Sequence, residues 1–257
     1  MIGVFDSGVG GLSIFREVRT MLPNSDFVYF GDTANVPYGG RPNSEIVDLG
    51  LRAVQLLRTY TPDLIIVACN TATSVAIANI REANPDVPIV GVVPVLKTAS
   101  EHTKTGRFAV LATEATLKSA SYLDLKQRFA KGKDVLEQAL PEWVTYVEKG
   151  ELNNRQLIDS IRRVAEKCSE FGADIAALGC THFPFLRPRI KKTMPEVEVL
   201  DSGPAVARQV VRVLTANRTL PEGTEKGNAT YLCSGDPEAF SSVASLLLGE
   251  LVTVSRQ

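Results

Sequence analysis

Short apolar runs alternate with helical stripes along nearly the whole chain, and this alternation restricts the fold more than any other feature of the sequence. The runs lie at 2–5, 26–30, 64–68, 87–92, 107–112, 134–138, 174–178, 197–200, 229–233 and 251–255. Runs this short, rich in branched and aromatic residues, predict strands buried on both faces. Between them, Leu12, Phe15, Val18 and Leu22 mark one helix face, and Ile46, Leu49, Ala53, Leu56 and Tyr60 mark another. Parallel neighbours need a crossover between them, usually a helix, so regular strand–helix alternation implies mainly parallel sheets with helices on both sides. The expected class is α/β.

Most of these strands end in a turn of Gly, Ser, Thr, Asn or Asp that opens a helix. In open α/β sheets ligands gather outside the carboxyl ends of the strands, so these turns are the places to search for chemistry. A chain of 257 residues is long enough for one large domain or two small lobes. The tempting breaks are Pro94 and the Gly203-Pro204 segment. No Ser/Gly-rich linker accompanies either one, so any two lobes must pack tightly.

A faint internal repeat supports two lobes. Pro62-Asp63-Leu64-Ile65-Ile66-Val67-Ala68-Cys69-Asn70-Thr71 is matched in pattern by the segment from Ala173 to His182, and Gly3 to Ser7 is matched by Ala109 to Thr113. Facing each other, two such halves would place Cys69 and Cys180 on opposite sides of one cleft.

Both cysteines sit at the end of a predicted strand, just before a helix, where the helix dipole favours a thiolate. Asn70-Thr71 and Thr181-His182 add hydrogen-bonding groups for an anionic ligand. Taken singly, a free Cys is most often a small buried hydrophobe; a matched pair in matched turns asks for another reason. Cys168, in the stripe Leu157, Ile161, Val164, Cys168, and Cys233, at a strand end, read as packing residues. Zinc fits poorly, because there is no Cys-x-x-Cys and His182 lies only two residues from Cys180. A redox disulfide lacks the same spacing, and a papain-like hydrolase would leave one thiol idle. Two symmetric thiols suit racemisation by two bases, one removing a proton from a carbon and the other returning it on the opposite face.

Asp6-Ser7-Gly8-Val9-Gly10-Gly11 follows the first strand and invites a dinucleotide-binding reading, with Asp32 as a mimic of the ribose-binding acid. The third glycine of that fingerprint would fall on Ser13, Asp6 would repel a pyrophosphate, and there is no Gly-Lys-Ser/Thr. The better reading turns Asp6 and Ser7 toward a substrate ammonium and carboxylate, with the glycines allowing close backbone approach and leaving N–H groups free.

Composition excludes other classes. With 28 Lys+Arg against 29 Asp+Glu, the net charge of −1 offers no basic field for nucleic acid or an anionic membrane. Apolar stretches such as Leu64–Cys69 and Pro88–Leu96 fall well short of the ~20 residues that span a bilayer. The start Met1-Ile2-Gly3-Val4-Phe5-Asp6 reads as a strand and not as a leader, so the cytoplasm is the expected compartment. No lysine stands in a strand-end turn as a Schiff-base candidate, so pyridoxal phosphate is not expected, and with zinc a poor fit no metal is expected.

The chain resembles the glutamate racemases of the aspartate/glutamate racemase family. The motifs occur in order: Val4 to Leu12, Gly31-Asp32-Thr33 with Val36-Pro37-Tyr38-Gly39, Ala68 to Thr73, Leu178 to Pro184, and Asp201-Ser202-Gly203. The resemblance implies cofactor-independent interconversion of L- and D-glutamate, supplying D-glutamate for peptidoglycan. It also implies two similar three-layer α/β lobes with the site in the cleft, residues 1–96 with 205–257 forming one and 97–204 the other, and a homodimer.

Carried over by position, Cys69 is the base for D-glutamate and Cys180 the base for L-glutamate, assisted by Asp6 and His182. Ser7, Tyr38, Gly39, Asn70, Thr71 and Thr181 would hold the substrate, together with Asp6 and His182. Glu148 matches an acidic position near the second thiol, although Leu140-Pro141-Glu142-Trp143 before it departs from the family pattern. The rival readings are aspartate racemase or another two-cysteine isomerase of the family and, from another class, a small-anion binding module.

Overall fold

The computed structural model describes residues 1–92, 95–221 and 223–257; the expected break at Pro94 lies outside them. Two sheets organise the chain. The first contains β1 (Ile2–Asp6), β2 (Phe27–Gly31), β3 (Leu64–Val67), β4 (Ile89–Gly91), β9 (Ala229–Cys233) and β10 (Val254–Arg256), in the order β10-β9-β2-β1-β3-β4. The second contains β5 (Arg107–Ala112), β6 (Asp134–Ala139), β7 (Ile175–Gly179) and β8 (Glu198–Asp201), in the order β6-β5-β7-β8. Their strand pairings are parallel, as the alternation predicts.

The internal repeat is therefore topological. In each sheet the first strand is flanked by the second on one side and the third on the other, with the fourth beyond. That reversal of direction opens a crevice at the strand ends. The ends of β1, β3, β5 and β7 carry Ser7, Cys69, Thr113 and Cys180.

The helices cover both faces of each sheet. α2 (Asn43–Arg58) and α3 (Asn70–Ala83) bury their apolar faces on one side of the first sheet, against Phe5, Val28 and Val67. α4 (Leu96–His102) and, after the short α5 (Glu114–Lys118), α6 (Ala120–Phe129) cover the outer side of the second, over Phe108, Val110 and Ala177. Between the sheets run α1 (Leu12–Met21), α7 (Pro141–Glu148), α8 (Arg155–Phe171), α9 (Arg187–Thr193), α10 (Gly203–Asn217) and α11 (Pro237–Leu248). Their buried side chains join Ile2 and Val4 of β1 to Leu111 of β5 and Leu178 of β7 in one unbroken apolar cluster. The period of two along β1 puts Asp6 on the side of Ile2 and Val4, facing that shared layer.

The helices obey their punctuation. Asn154 caps α8, accepting the Gln156 N–H at 2.9 Å, and Gly172 ends it with φ +74°. Asp236 caps α11, Pro237 opens it, and Gly249 closes it at φ +69°.

Two expectations shift. The stripe of α2 runs through Ile46, Leu49, Ala53, Val54 and Leu57, with Leu56 and Tyr60 on its half-buried flank. Steps of three and four both stay on a helix face, so the sequence spacing admits either path. The last strand begins at Val254 instead of 251, leaving Leu251 exposed. Backbone groups of Val252 are taken by α11, its N–H by Ser245 Oγ at 2.9 Å and its carbonyl by the Ser241 hydroxyl. Cys168 and Cys233 are fully buried, as packing residues should be.

Candidate active site

A narrow pocket opens between the two sets of strand ends, lined by Ser7, Tyr38, Gly39, Cys69, Asn70, Thr71, Cys180, Thr181 and His182, with Pro37, Thr113 and Val144. Asp6 lies just behind this wall, fully buried, and Glu148 reaches His182 from α7. All the residues singled out in the sequence thus come together, drawn from both lobes.

Cys69 ends the β3 turn and caps α3, its Sγ accepting the Ala72 N–H at 3.4 Å. The thiol also lies 3.6 Å from Ser7 Oγ. Burial, then the charge of Asp6, push the Cys69 thiol up to about 12, outweighing the Ala72 N–H and the Ser7 hydroxyl. Burial therefore outweighs, at Cys69, the pull of the helix dipole.

Cys180 has a different partner. His182 Nδ1 stands 3.6 Å from its Sγ, and His182 Nε2 lies 2.5 Å from Glu148 Oε1. Burial works against the imidazolium, but hydrogen bonding with Cys180 and Glu148, and their charges, hold the His182 pKa well above 6.5.

Asp6 ties the lobes together, accepting the Gly8 N–H at 2.9 Å and the Thr181 hydroxyl at 3.1 Å. Burial lifts its carboxyl above the ordinary 3.8 against the opposing pull of His182 and the Gly8 N–H. A raised folded pKa means that the native state binds more protons than the unfolded chain. The associated stability is complete below pH ~3.8 and is lost as pH rises through the folded value. Asp6→Asn should therefore melt higher than the parent near neutral pH, with the gap closing toward acid. Thermal melts across a pH series check this, and a variant no more stable at pH 7 would contradict it.

The glycine-rich turn allows the close approach expected of it, but two of its N–H groups are taken: Gly8 gives its own to Asp6, and Val9 donates to Glu148 Oε1 at 2.9 Å. A Cβ on Gly8 would fall 1.9 Å from Glu148 Oε1, and one on Gly10 would fall 2.4 Å from His182 Nδ1. The bare backbone makes room for the two side chains that serve Cys180.

Tyr38 is held over the pocket by Asp32, which accepts its hydroxyl at 2.7 Å, the Ser234 hydroxyl at 2.6 Å and the Asn35 amide at 3.0 and 3.1 Å. Asp32 thus supports the pocket wall through Tyr38. Thr113 was not singled out. Its Oγ1 lies 3.0 Å from Thr71 Oγ1 and 2.9 Å from Thr116 Oγ1, and its alignment with Ser7 in the internal repeat was the available signal. Val144, one turn before Glu148 on α7, carried none.

Asn70 Nδ2 is buried in this wall without a hydrogen-bond partner among the described residues, a donor suited to a ligand. Among the described residues no cluster of three or more His, Cys, Asp or Glu could hold a metal ion, and no helix is long and apolar enough to cross a membrane.

Paired thiols at equivalent strand ends, in a pocket shared by two equivalent sheets, define a family. Residues 6–210 match the Asp/Glu/Hydantoin racemase family, and the chain belongs to it. Several of its similar proteins carry one name. A glutamate racemase of Herpetosiphon aurantiacus is 43% identical over 247 residues, 96% of this chain and 97% of the relative. A glutamate racemase of Bacillus anthracis superposes with a TM-score of 0.88 at 27% identity, covering 100% of this chain and 97% of that one. The Escherichia coli glutamate racemase, solved with L-glutamate and an activator, gives 0.87 at 30% identity, covering 99% and 97%.

Proposed function

We propose that this chain is a cytoplasmic glutamate racemase that interconverts L- and D-glutamate without a cofactor and supplies D-glutamate for peptidoglycan. One observation carries the reading: two thiols line one pocket from equivalent strand ends, each beside its own proton-holding group. The names of the relatives support the substrate, and homodimer formation belongs to the same reading.

The geometry supports a division of labour. L-glutamate sits with its ammonium toward Asp6 and Ser7. Its carboxylate takes the Asn70 amide, the Thr71 hydroxyl and the N-terminus of α3, while Thr181 keeps its hydroxyl on Asp6. Cys180 removes the Cα proton, forming its S–H bond as the C–H bond breaks. Cys69, already protonated, delivers its own proton to the opposite face and becomes the thiolate. With no electron sink, the carbanion depends on donors fixed around the carboxylate and on exclusion of water by the buried walls. D-glutamate runs the same steps in reverse.

The test is exchange at Cα. Incubated with either enantiomer of glutamate in deuterated water, with nothing else added, the protein should yield the other enantiomer labelled at Cα. Binding of glutamate with no label gained would favour the anion-binding module. Labelling of aspartate in preference to glutamate would favour an aspartate racemase.

A further inference from the structure

Behind the substrate pocket lies a second cavity, walled by Val9, Val36, Phe240 and Glu148, with the exposed Ala239 and Asp236 at its mouth. Its empty volume of ≈ 540 Å³ includes the open mouth, and each water needs only ~30 Å³. Glu148 lines this cavity and not the substrate pocket; Cys180 lines the substrate pocket and not this cavity. His182 joins the two, 3.6 Å from the thiol on one side and 2.5 Å from Glu148 Oε1 on the other. Oε1 also holds the Val9 N–H, whereas Oε2 has no hydrogen-bond partner among the described residues. The Glu148 side chain is 14% exposed, against 3% for His182.

The other thiol has no comparable outlet. Its neighbours are Ser7 and Asp6, and Asp6 is fully enclosed, with one oxygen on the Gly8 N–H and the other on the Thr181 hydroxyl.

We propose that Glu148 is the proton port of Cys180: with glutamate filling the pocket, this thiol exchanges its proton with solvent through His182, Glu148 and the second cavity, while Cys69 exchanges only through the substrate pocket. The inference rests on the two-thiol reading above. The Cys180 S–H bond breaks as a proton lands on His182 Nδ1, the Nε2 proton passes to Glu148 Oε1, and Glu148 protonates a cavity water. The thiol has become a thiolate and the water a hydronium ion. The reverse sequence recharges Cys180 for the other direction, and net one-way turnover resets the tautomer when the substrate pocket, which His182 also lines, empties and the Nδ1 proton leaves to solvent there as Nε2 regains one from Glu148. The imidazolium formed between the two transfers is the state that its contacts with Cys180 and Glu148 favour.

Two variants test the port. Glu148→Ala removes the relay, and its turnover should fall about 10²-fold, the lower range for a positioned proton-transfer group. Acetate, small enough to enter the cavity, should then restore part of that loss. Ala239→Phe fills the mouth from the exposed side of α11 and leaves Glu148 and His182 their hydrogen bonds. Alone, it should keep the first-turnover rate of L-glutamate deprotonation, read by rapid quench, but lose steady-state rate. Combined with Glu148→Ala, it should block the acetate rescue. Rescue that fails in Glu148→Ala, or persists unchanged in the double variant, overturns the port, as does an Ala239→Phe enzyme with parental steady-state rate. Absence of racemisation in the parent protein would instead overturn the two-thiol reading itself.

Discussion

Replacing either Cys69 or Cys180 by serine should abolish racemisation in both directions, by about 10³-fold or more, while leaving the chain folded. Each turnover needs one sulfur as base and the other as acid, and positioned acid–base groups contribute roughly 10²–10⁴-fold each. A serine hydroxyl is a far weaker acid than a thiol, so it is hardly ever the needed anion. The fold should survive, since serine is a favourable cap for the Ala72 N–H that Cys69 now holds. Partial reactions should then divide by enantiomer. A glutamate analogue with a leaving group at Cβ needs only the removal step. Cys69→Ser should therefore still eliminate from the L-type analogue, and Cys180→Ser from the D-type. Elimination rates for both enantiomers with both variants measure this. Parental racemisation in both variants would end the two-base mechanism; a reversed preference would exchange the faces assigned to the thiols.

Gly10→Ala should be nearly as damaging without touching a reacting group. The new methyl would start 2.4 Å from His182 Nδ1 and 2.7 Å from Thr181 Oγ1, so ring and hydroxyl must both move. A displacement near 1 Å in such a site can cost about 10²-fold in rate. The loss should fall mainly on kcat, and deprotonation of L-glutamate should suffer more than that of D-glutamate, because His182 serves Cys180. Single-turnover rates for the two enantiomers check this. Equal losses in both directions would mean that the turn acts on the pocket as a whole.

The strand–helix rhythm was legible because residues buried on both sheet faces leave continuous apolar runs, as in Leu64–Val67 and Ile175–Gly179. The meeting of Cys69 with Cys180 was legible because the internal repeat encodes the same strand order twice. Contacts made only across the fold were not. Nothing near Asp32 announces Ser234, which reaches it from the far end of the chain. The purpose of Gly8 and Gly10 depends on side chains arriving from α7 and the β7 turn, so the local text suggested a ligand where Glu148 and His182 stand. Thr113 sat in plain view opposite Ser7 in the repeat, but a threonine at a strand end carries little signal by itself.

The apolar cluster that passes unbroken from one sheet to the other limits how substrate can come and go. Any opening of the cleft that parts the packed side chains of this cluster costs ~25 cal/mol for each Å² of apolar surface exposed. The segment carrying Pro37, Tyr38 and Gly39 is pinned as well, since Tyr38 is buried in the apolar cluster of Phe5 and Phe30 and gives its hydroxyl to Asp32. Any route into the site is therefore bounded by packed apolar side chains on both sides, and substrate must part them to reach the two thiols.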